Sequence, residues 1–396
     1  MHFLKINFLL VSLFLSSNLF AIYFPNDTWE ITSPEEQQVS SDKVDALIDL
    51  AFLDDATQAV VVIKNGKIIS EQYAEGYGKD SHGTSWSMAK SYYAALIGIS
   101  IERGEIGSLD DEVSQYLKYF DDERSKITIR DLLNMSSGLD FPEDEHEKMF
   151  FQSDHLKYAK SVGVEKSTGL VFEYNNVNSM LLGDILLVAT GKKADILLNE
   201  RILEPIGVKD FKLWKDENGN VLTYCCVDMS ARDYSKIGLL FARNGNWNGV
   251  QLLSKDYIDE TFQLVWDLNI GDRIKRPGYS LHWWVSKYDE ESKIFNTSGK
   301  FGQFTFVDRK NDVIVTRITK YDQQDFGSTQ KWGIMKYLRW AGIENAINIG
   351  RTLLESGAVE SGTDIVSPFT SEEGESKIFY TKYEEFIDAI AELSRS

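Results

Sequence analysis

Ser-Met-Ala-Lys-Ser-Tyr-Tyr-Ala-Ala-Leu-Ile-Gly-Ile-Ser-Ile-Glu-Arg, residues 87–103, is apolar on nearly every side. A helix of that kind is a buried helix, and Gly104 suits the left-handed residue that ends helices. The stretch predicts a buried helix from Ser87 to about Arg103. Ser87 then stands at its N-terminal end, where free backbone N–H groups and the macrodipole favour developing negative charge.

Working outward, the flanks on both sides read as sheet. Residues 58–73 predict a hairpin: Ala59-Val60-Val61-Val62-Ile63, the favoured turn Asn65-Gly66, and the return Lys67-Ile68-Ile69-Ser70-Glu71. Far downstream, Leu281–Val285, Ile294–Thr297, Gln303–Val307 and Val313–Ile318 predict four more strands, with a turn at Arg309-Lys310-Asn311. A lone hairpin is unstable, so the two blocks are expected to pair. Residues 87–262 between them are mostly helical in pattern. The fold class is therefore α+β: an antiparallel sheet built from N- and C-terminal segments with flanking helices, plus a mostly helical inserted lobe. The sheet lobe is expected over about 22–86 and 276–345, and the helical lobe over about 87–275.

The first 21 residues read as a signal peptide. Lys5 precedes an apolar run from Ile6 to Leu15, and Ala21 suits cleavage. The rival reading, an uncleaved anchor, needs roughly 20 apolar residues, more than this run supplies. A periplasmic or secreted protein with no further membrane attachment is expected. The net charge of −19 argues against nucleic acid or an anionic membrane as partner. Cys225 and Cys226 are adjacent and expected not to bridge, because disulfide geometry wants Cα atoms farther apart than one peptide step. His2, His82, His146, His155 and His282 form no metal-ligand spacing, which disfavours a zinc enzyme.

Three short patterns carry chemistry. Ser87-Met88-Ala89-Lys90 puts a hydroxyl and an ammonium on one helix face. Serine needs a base, and lysine serves as one once burial lowers its pKa. The same spacing recurs at Ser40…Lys43 and Ser328…Lys331, so context rather than spacing selects Ser87. Tyr174-Asn175-Asn176 is the only Tyr-x-Asn. It reads either as an ordinary turn or as a phenol that shuttles protons beside Asn176, which binds a substrate amide or carbonyl. Lys300-Phe301-Gly302 enters a predicted strand, where N–H groups near Gly302 and Gln303 supply half of an oxyanion hole. Copies of Lys-x-Gly at Lys64, Lys236 and Lys331 lack that placement.

Taken in order, Ser-x-x-Lys, Tyr-x-Asn and Lys-x-Gly parallel the elements of β-lactamases and penicillin-binding proteins. The chain resembles the class C β-lactamase-like serine hydrolases, a group that includes D,D-peptidases, esterases and 6-aminohexanoate-dimer hydrolases. Thr128–Leu139, Asp228–Tyr234 and Trp247-Asn248-Gly249 extend the likeness, and Ser298–Gln303 is similar to the 6-aminohexanoate-dimer hydrolase branch. The resemblance implies an acyl-enzyme on Ser87, with Lys90 as general base and Tyr174 as proton shuttle. Asn176, Lys300 and Phe301 would contact substrate, the N–H groups of Ser87 and Gln303 would hold the oxyanion, and no metal or organic cofactor is required. Phe301 departs from the group: β-lactamases carry a threonine there that binds the antibiotic's carboxylate, and a phenyl ring makes no such bond. An ester or linear amide is therefore the expected substrate. The rivals are a D,D-peptidase or β-lactamase acting on cell-wall peptides or β-lactams, and a penicillin-binding sensor domain without turnover. The substrate is a small ester, amide or peptide, and the protein a monomer or homodimer.

Residues 346–396 lie outside the resemblance. They form an acidic extension ending in a helical stripe of Phe379, Tyr383, Phe386, Ile390 and Leu393. Such a stripe needs an apolar partner, expected on the chain's own domain rather than a second copy.

Overall fold

Asn65 and Gly66 both take left-handed φ, 53° and 81°, the conformation that lets a two-residue loop follow the twist of paired strands. In the computed structural model they join β1 (Thr57–Lys64) to β2 (Lys67–Tyr73). The structure describes residues 23–25, 28–141, 149–150, 152–268, 278–320 and 377–393, with isolated positions between 342 and 356. The expected signal peptide at 1–21, the Ser328…Lys331 pattern and most of the acidic extension lie outside the described residues.

The remaining strands are β3 (His82–Thr84), β4 (Lys212–Leu213), β5 (Val227–Ser230), β6 (Asn246–Trp247), β7 (Val250–Gln251), β8 (Trp266–Asp267), β9 (Gly278–Ser280), β10 (Trp283–Tyr288), β11 (Lys293–Gly299), β12 (Gln303–Asp308) and β13 (Val313–Thr319). The described helices are α1 (Ser41–Phe52), α2 (Ala89–Glu102), α3 (Ile129–Leu133), α4 (His155–Ser161), α5 (Asn176–Thr190), α6 (Ala194–Leu198), α7 (Ala231–Ala242), α8 (Lys255–Thr261), α9 (Lys377–Thr381) and α10 (Tyr383–Glu392), besides short 3-10 and π turns. Among these residues no helix is long and apolar enough to cross a membrane.

The main sheet runs β2-β1-β13-β12-β11-β10-β9-β8, with antiparallel neighbours throughout. The two ends of the chain thus meet in its middle, with Val62 opposite Val315. Strand side chains alternate between faces, and here both faces are buried. Val61, Ile63, Val307 and Ile314 belong to a core shared with α2, α5 and α7. Val60, Val62, Phe304 and Phe306 face the opposite way, against α1 and α10. This is the mixed helix and antiparallel-sheet fold the sequence predicts.

Several local features differ from the sequence reading. The middle of the chain is less purely helical, because β3, β5 and β4 form a second small sheet. The expected strand at Leu281 starts two residues later. Leu281 and His282 both have left-handed φ, 41° and 65°. Their N–H groups leave the ladder, donating to Asn134 Oδ1 (2.8 Å) and the Leu133 carbonyl (2.9 Å). Cys225 and Cys226 are both buried where the chain leads into β5.

The C-terminal stripe packs on its own chain. Phe379, Tyr383, Phe386, Ile390 and Leu393 are buried with Val60, Val62, Phe304, Phe306 and Val315 on the outer face of the sheet.

Candidate active site

The chain is pinned immediately before Ser87. Ser85 exchanges two hydrogen bonds with Val227: its N–H donates to the Val227 carbonyl and its Oγ accepts from the Val227 N–H, both at 2.8 Å. Trp86 then adopts φ 46°, and Ser87 sits in the 3-10 turn Trp86–Met88 that leads into α2. The regular helix thus begins at Ala89, slightly later than predicted. Arg103 and Gly104 (φ 69°) end it as expected. Gly299, at the end of β11, lies flat against this turn. A Cβ there would stand 2.1 Å from the Ser85 carbonyl, so only glycine lets the Lys300-Phe301-Gly302 turn approach the serine.

Lys90 is 2 % exposed. Its Nζ lies 3.0 Å from Ser87 Oγ, 2.8 Å from Asn176 Oδ1 and 2.8 Å from the Tyr224 carbonyl. Burial drives its pKa well below the ordinary lysine value. The geometry suits a neutral amine. Two of its contacts are oxygens that only accept, so they take its two N–H groups. The remaining direction, toward the Ser87 hydroxyl at 3.0 Å, is open to the lone pair once the amine is neutral. This arrangement is competent to take the serine proton.

Asn175 supplies the other half of the site. It is the N-cap of α5, its side chain accepting from the Asn178 N–H at 2.8 Å. The Asn-Asn pair is therefore a helix start rather than a simple turn, and it places Asn176 in the first turn beside Lys90. The ring centroid of Tyr174 is 4.9 Å from Lys90 Nζ, and the ring packs against Tyr279 and Trp284. Ser87, Lys90, Tyr174 and Asn176 are thus brought together. Asn176, expected at the substrate, directs its Oδ1 at Lys90.

Phe301 has φ 65°, and its ring meets Trp86 edge-on at 5.3 Å. Lys300 Nζ lies 5.1 Å from the Phe301 centroid and 6.0 Å from that of Trp86. Phe150 and Trp214 extend this aromatic wall, 6.3 and 5.9 Å from Trp86. Gln303 begins β12 opposite Gly299. Its side chain turns toward β13, where Nε2 donates to Thr319 Oγ1 and Oε1 accepts from the Thr319 N–H at 3.0 Å.

Two elements escaped the sequence reading. The Tyr224 contact is a backbone carbonyl, which leaves no side-chain signature. Trp86 is half-buried beside Ser87, and adjacency to the candidate nucleophile was the available signal.

His282 braces the site from beneath. Its Nδ1 lies 2.8 Å from the Leu133 carbonyl, its Nε2 2.9 Å from Ser179 Oγ, and its own carbonyl accepts from Ser91 Oγ at 2.6 Å. It thereby ties α2 and α5, the helices that carry Lys90 and Asn176. Burial, and then the charge that Lys90 carries when protonated, lowers its pKa from 6.5 to about 3. The folded form holds it neutral, while the unfolded chain protonates it below its ordinary value. Its contribution is therefore complete above pH 6.5 and is lost as pH falls toward 3, by about 1.4 kcal/mol per pH unit. His282→Gln keeps the shape without the titration. The gap in urea midpoint between wild type and variant should shrink from pH 7 to pH 4, and a constant gap would refute this account.

A serine beside a buried lysine at the start of a core helix, facing the end of an antiparallel sheet, is the arrangement of a serine hydrolase of the β-lactamase-like kind. The family model described as Beta-lactamase matches residues 53–336, and the chain belongs to that family. It is 19 % identical over 303 residues to a 6-aminohexanoate-dimer hydrolase of Paenarthrobacter ureafaciens, covering 70 % of this chain and 75 % of that one. Two solved structures share the fold. One is an octameric penicillin-binding protein homologue from Pyrococcus abyssi, with TM-score 0.59, 17 % identity, and coverage of 70 % of this chain and 72 % of that one. The other is a family VIII carboxylesterase, with TM-score 0.56, 17 % identity, and coverage of 70 % and 90 %.

Proposed function

We propose that the protein is an exported hydrolase that cleaves an ester or linear amide through an acyl-enzyme on Ser87. The observation that carries the reading is the setting of Lys90: a buried amine 3.0 Å from Ser87 Oγ, with its other hydrogen-bond directions taken by Asn176 and Tyr224. As Oγ attacks the substrate carbonyl, its proton passes to Lys90 Nζ. Tyr174 relays that proton to the leaving oxygen or nitrogen as the bond to the acyl carbon breaks. Water then attacks the acyl-enzyme, returns a proton to Ser87 and releases the acid. The N–H groups of Ser87 and Gln303 hold the oxyanion. Phe301 and Trp86 give the site an apolar wall suited to the acyl chain of an ester or alkyl amide. The charge of Lys5 and the apolar run from Ile6 to Leu15 support export.

Ser87→Ala is expected to abolish covalent labelling by a serine-directed fluorophosphonate, with Ser40→Ala labelled like wild type. An adduct mapped to another residue would sink the assignment. For substrate class, the wild-type specificity constant should be higher for a short-chain p-nitrophenyl ester than for a chromogenic cephalosporin. The reverse order would favour the β-lactamase reading, in which Lys300 receives the antibiotic's carboxylate.

A further inference from the structure

Behind the turn that faces Ser87 lies a fully buried arginine. Arg317, on β13, is 0 % exposed. Its Nη1 donates to the Gly302 carbonyl at 2.8 Å, and its Nη2 to Asp54 Oδ2 at 2.6 Å and Thr57 Oγ1 at 2.9 Å. Gly302 has φ 83°, and a Cβ there would stand 2.3 Å from Arg317 Nη1. The guanidinium therefore touches the turn's backbone directly. One face of it is covered: the ring of Phe379, on α9, lies 3.9 Å from its central carbon.

The peptide unit that Arg317 grips has a second end. The Gly302 carbonyl and the Gln303 N–H belong to one planar trans amide and point in opposite directions. Holding the oxygen from behind fixes where the N–H aims in front. A charge-assisted bond to the carbonyl also polarises the amide, which strengthens its N–H as a donor.

We infer that Arg317 is a positioning residue for the Lys300-Phe301-Gly302 turn, and that Phe379 of the C-terminal helical segment holds Arg317 in register. Phe379 lies beyond residue 336, where the family match ends. The segment after the matched domain is then part of the catalytic scaffold rather than an appendage. The inference rests on the reading of Ser87 as nucleophile, and its test separates the two.

The informative variant is Phe379→Leu, which keeps apolar volume and removes the aromatic face. Phe379→Ala is the stronger version. The control is Ile390→Ala, which loosens α10 in the same apolar layer but lies outside the Arg317–Phe379 contact. All are assayed on the full chain, well below their melting temperatures, with a p-nitrophenyl ester and with the fluorophosphonate. Phe379→Leu should lower kcat by about three- to tenfold with KM within about twofold, because small displacements of a positioned group cost rate steeply. The labelling rate should fall in parallel, and the midpoint of the pH–rate profile should stay in place because Lys90 is untouched. Ile390→Ala should keep kcat within about twofold even where it lowers the melting temperature. Unchanged kcat in both Phe379 variants, or an equal loss in Ile390→Ala, overturns the inference while leaving Ser87 in its role. A wild type that fails to label at Ser87 overturns the site reading and this inference with it.

Discussion

Lys90→Arg is expected to lower kcat for an activated ester by about 10²–10⁴-fold, the usual contribution of a positioned general base. The variant keeps a cation in the pocket but removes the chemistry, because guanidinium stays protonated throughout the working range. In the wild type, the rate should rise with pH as Lys90 loses its proton. Its folded pKa lies well below the ordinary value, so the midpoint should fall well below the ~10.4 of a free lysine. A variant retaining most of its activity, or a wild-type profile with its midpoint near that of a free lysine, would mean that another group takes the Ser87 proton. The planar fork of arginine also needs room that the Ser87, Asn176 and Tyr224 contacts do not leave. Lys90→Met, smaller and uncharged, therefore serves as companion and should be equally slow.

Asp54→Asn should destabilise the fold by about 3–5 kcal/mol, the usual consequence of stripping one partner from a buried ion pair. Asp54 and Arg317 are both 0 % exposed and meet at 2.6 Å, so the arginine has no water to fall back on. The measurement is the urea midpoint at pH 7. Replacing both members together, as Asp54→Leu with Arg317→Met, should recover most of that loss, since well-packed apolar pairs substitute for buried ion pairs at little net cost. The double variant still lacks a donor for the Gly302 carbonyl. It should therefore regain stability without regaining kcat. A single variant within about 1 kcal/mol of wild type would show that the pair contributes as little as an exposed one.

What the sequence made legible was whatever depends on local pattern. Asn65-Gly66 between two β-branched runs specified the hairpin because only a primed turn fits there. The all-round apolar stretch after Ser87 marked a buried helix, and that burial is what lowers the pKa of Lys90. The spacing of Phe379, Tyr383, Phe386, Ile390 and Leu393 marked a helix face that had to be covered. Features set by tertiary contact were not legible. Leu281-His282 reads as strand, yet Asn134 and Leu133 draw both N–H groups out of the ladder. Val-Ile-Val-Thr-Arg-Ile-Thr at 313–319 gives no sign that its arginine is fully enclosed, because Asp54 and Phe379 come from opposite ends of the chain. Asn175-Asn176 reads as turn material, yet the Asn175 side chain caps a helix. Asn at a chain reversal and Asn at a helix start share one local signature, and the packing of α5 into the core decides between them.

The pairing of β1 with β13 has a consequence for how the molecule reaches its working form. Val62 waits for Val315, so the centre of the sheet closes only through contacts of very long sequence separation. Such closures are slow relative to helix formation, because their loop entropy is lost before any contact compensates it. The helix that carries Ser87 and Lys90 is complete by residue 102. The turn opposite it is backed by Arg317, and Arg317 in turn by Phe379. On the proposed assignment, the site is therefore completed late. Ser87 and Lys90 are synthesised early, but the turn that faces them is set only when the C-terminal strand and helix have docked.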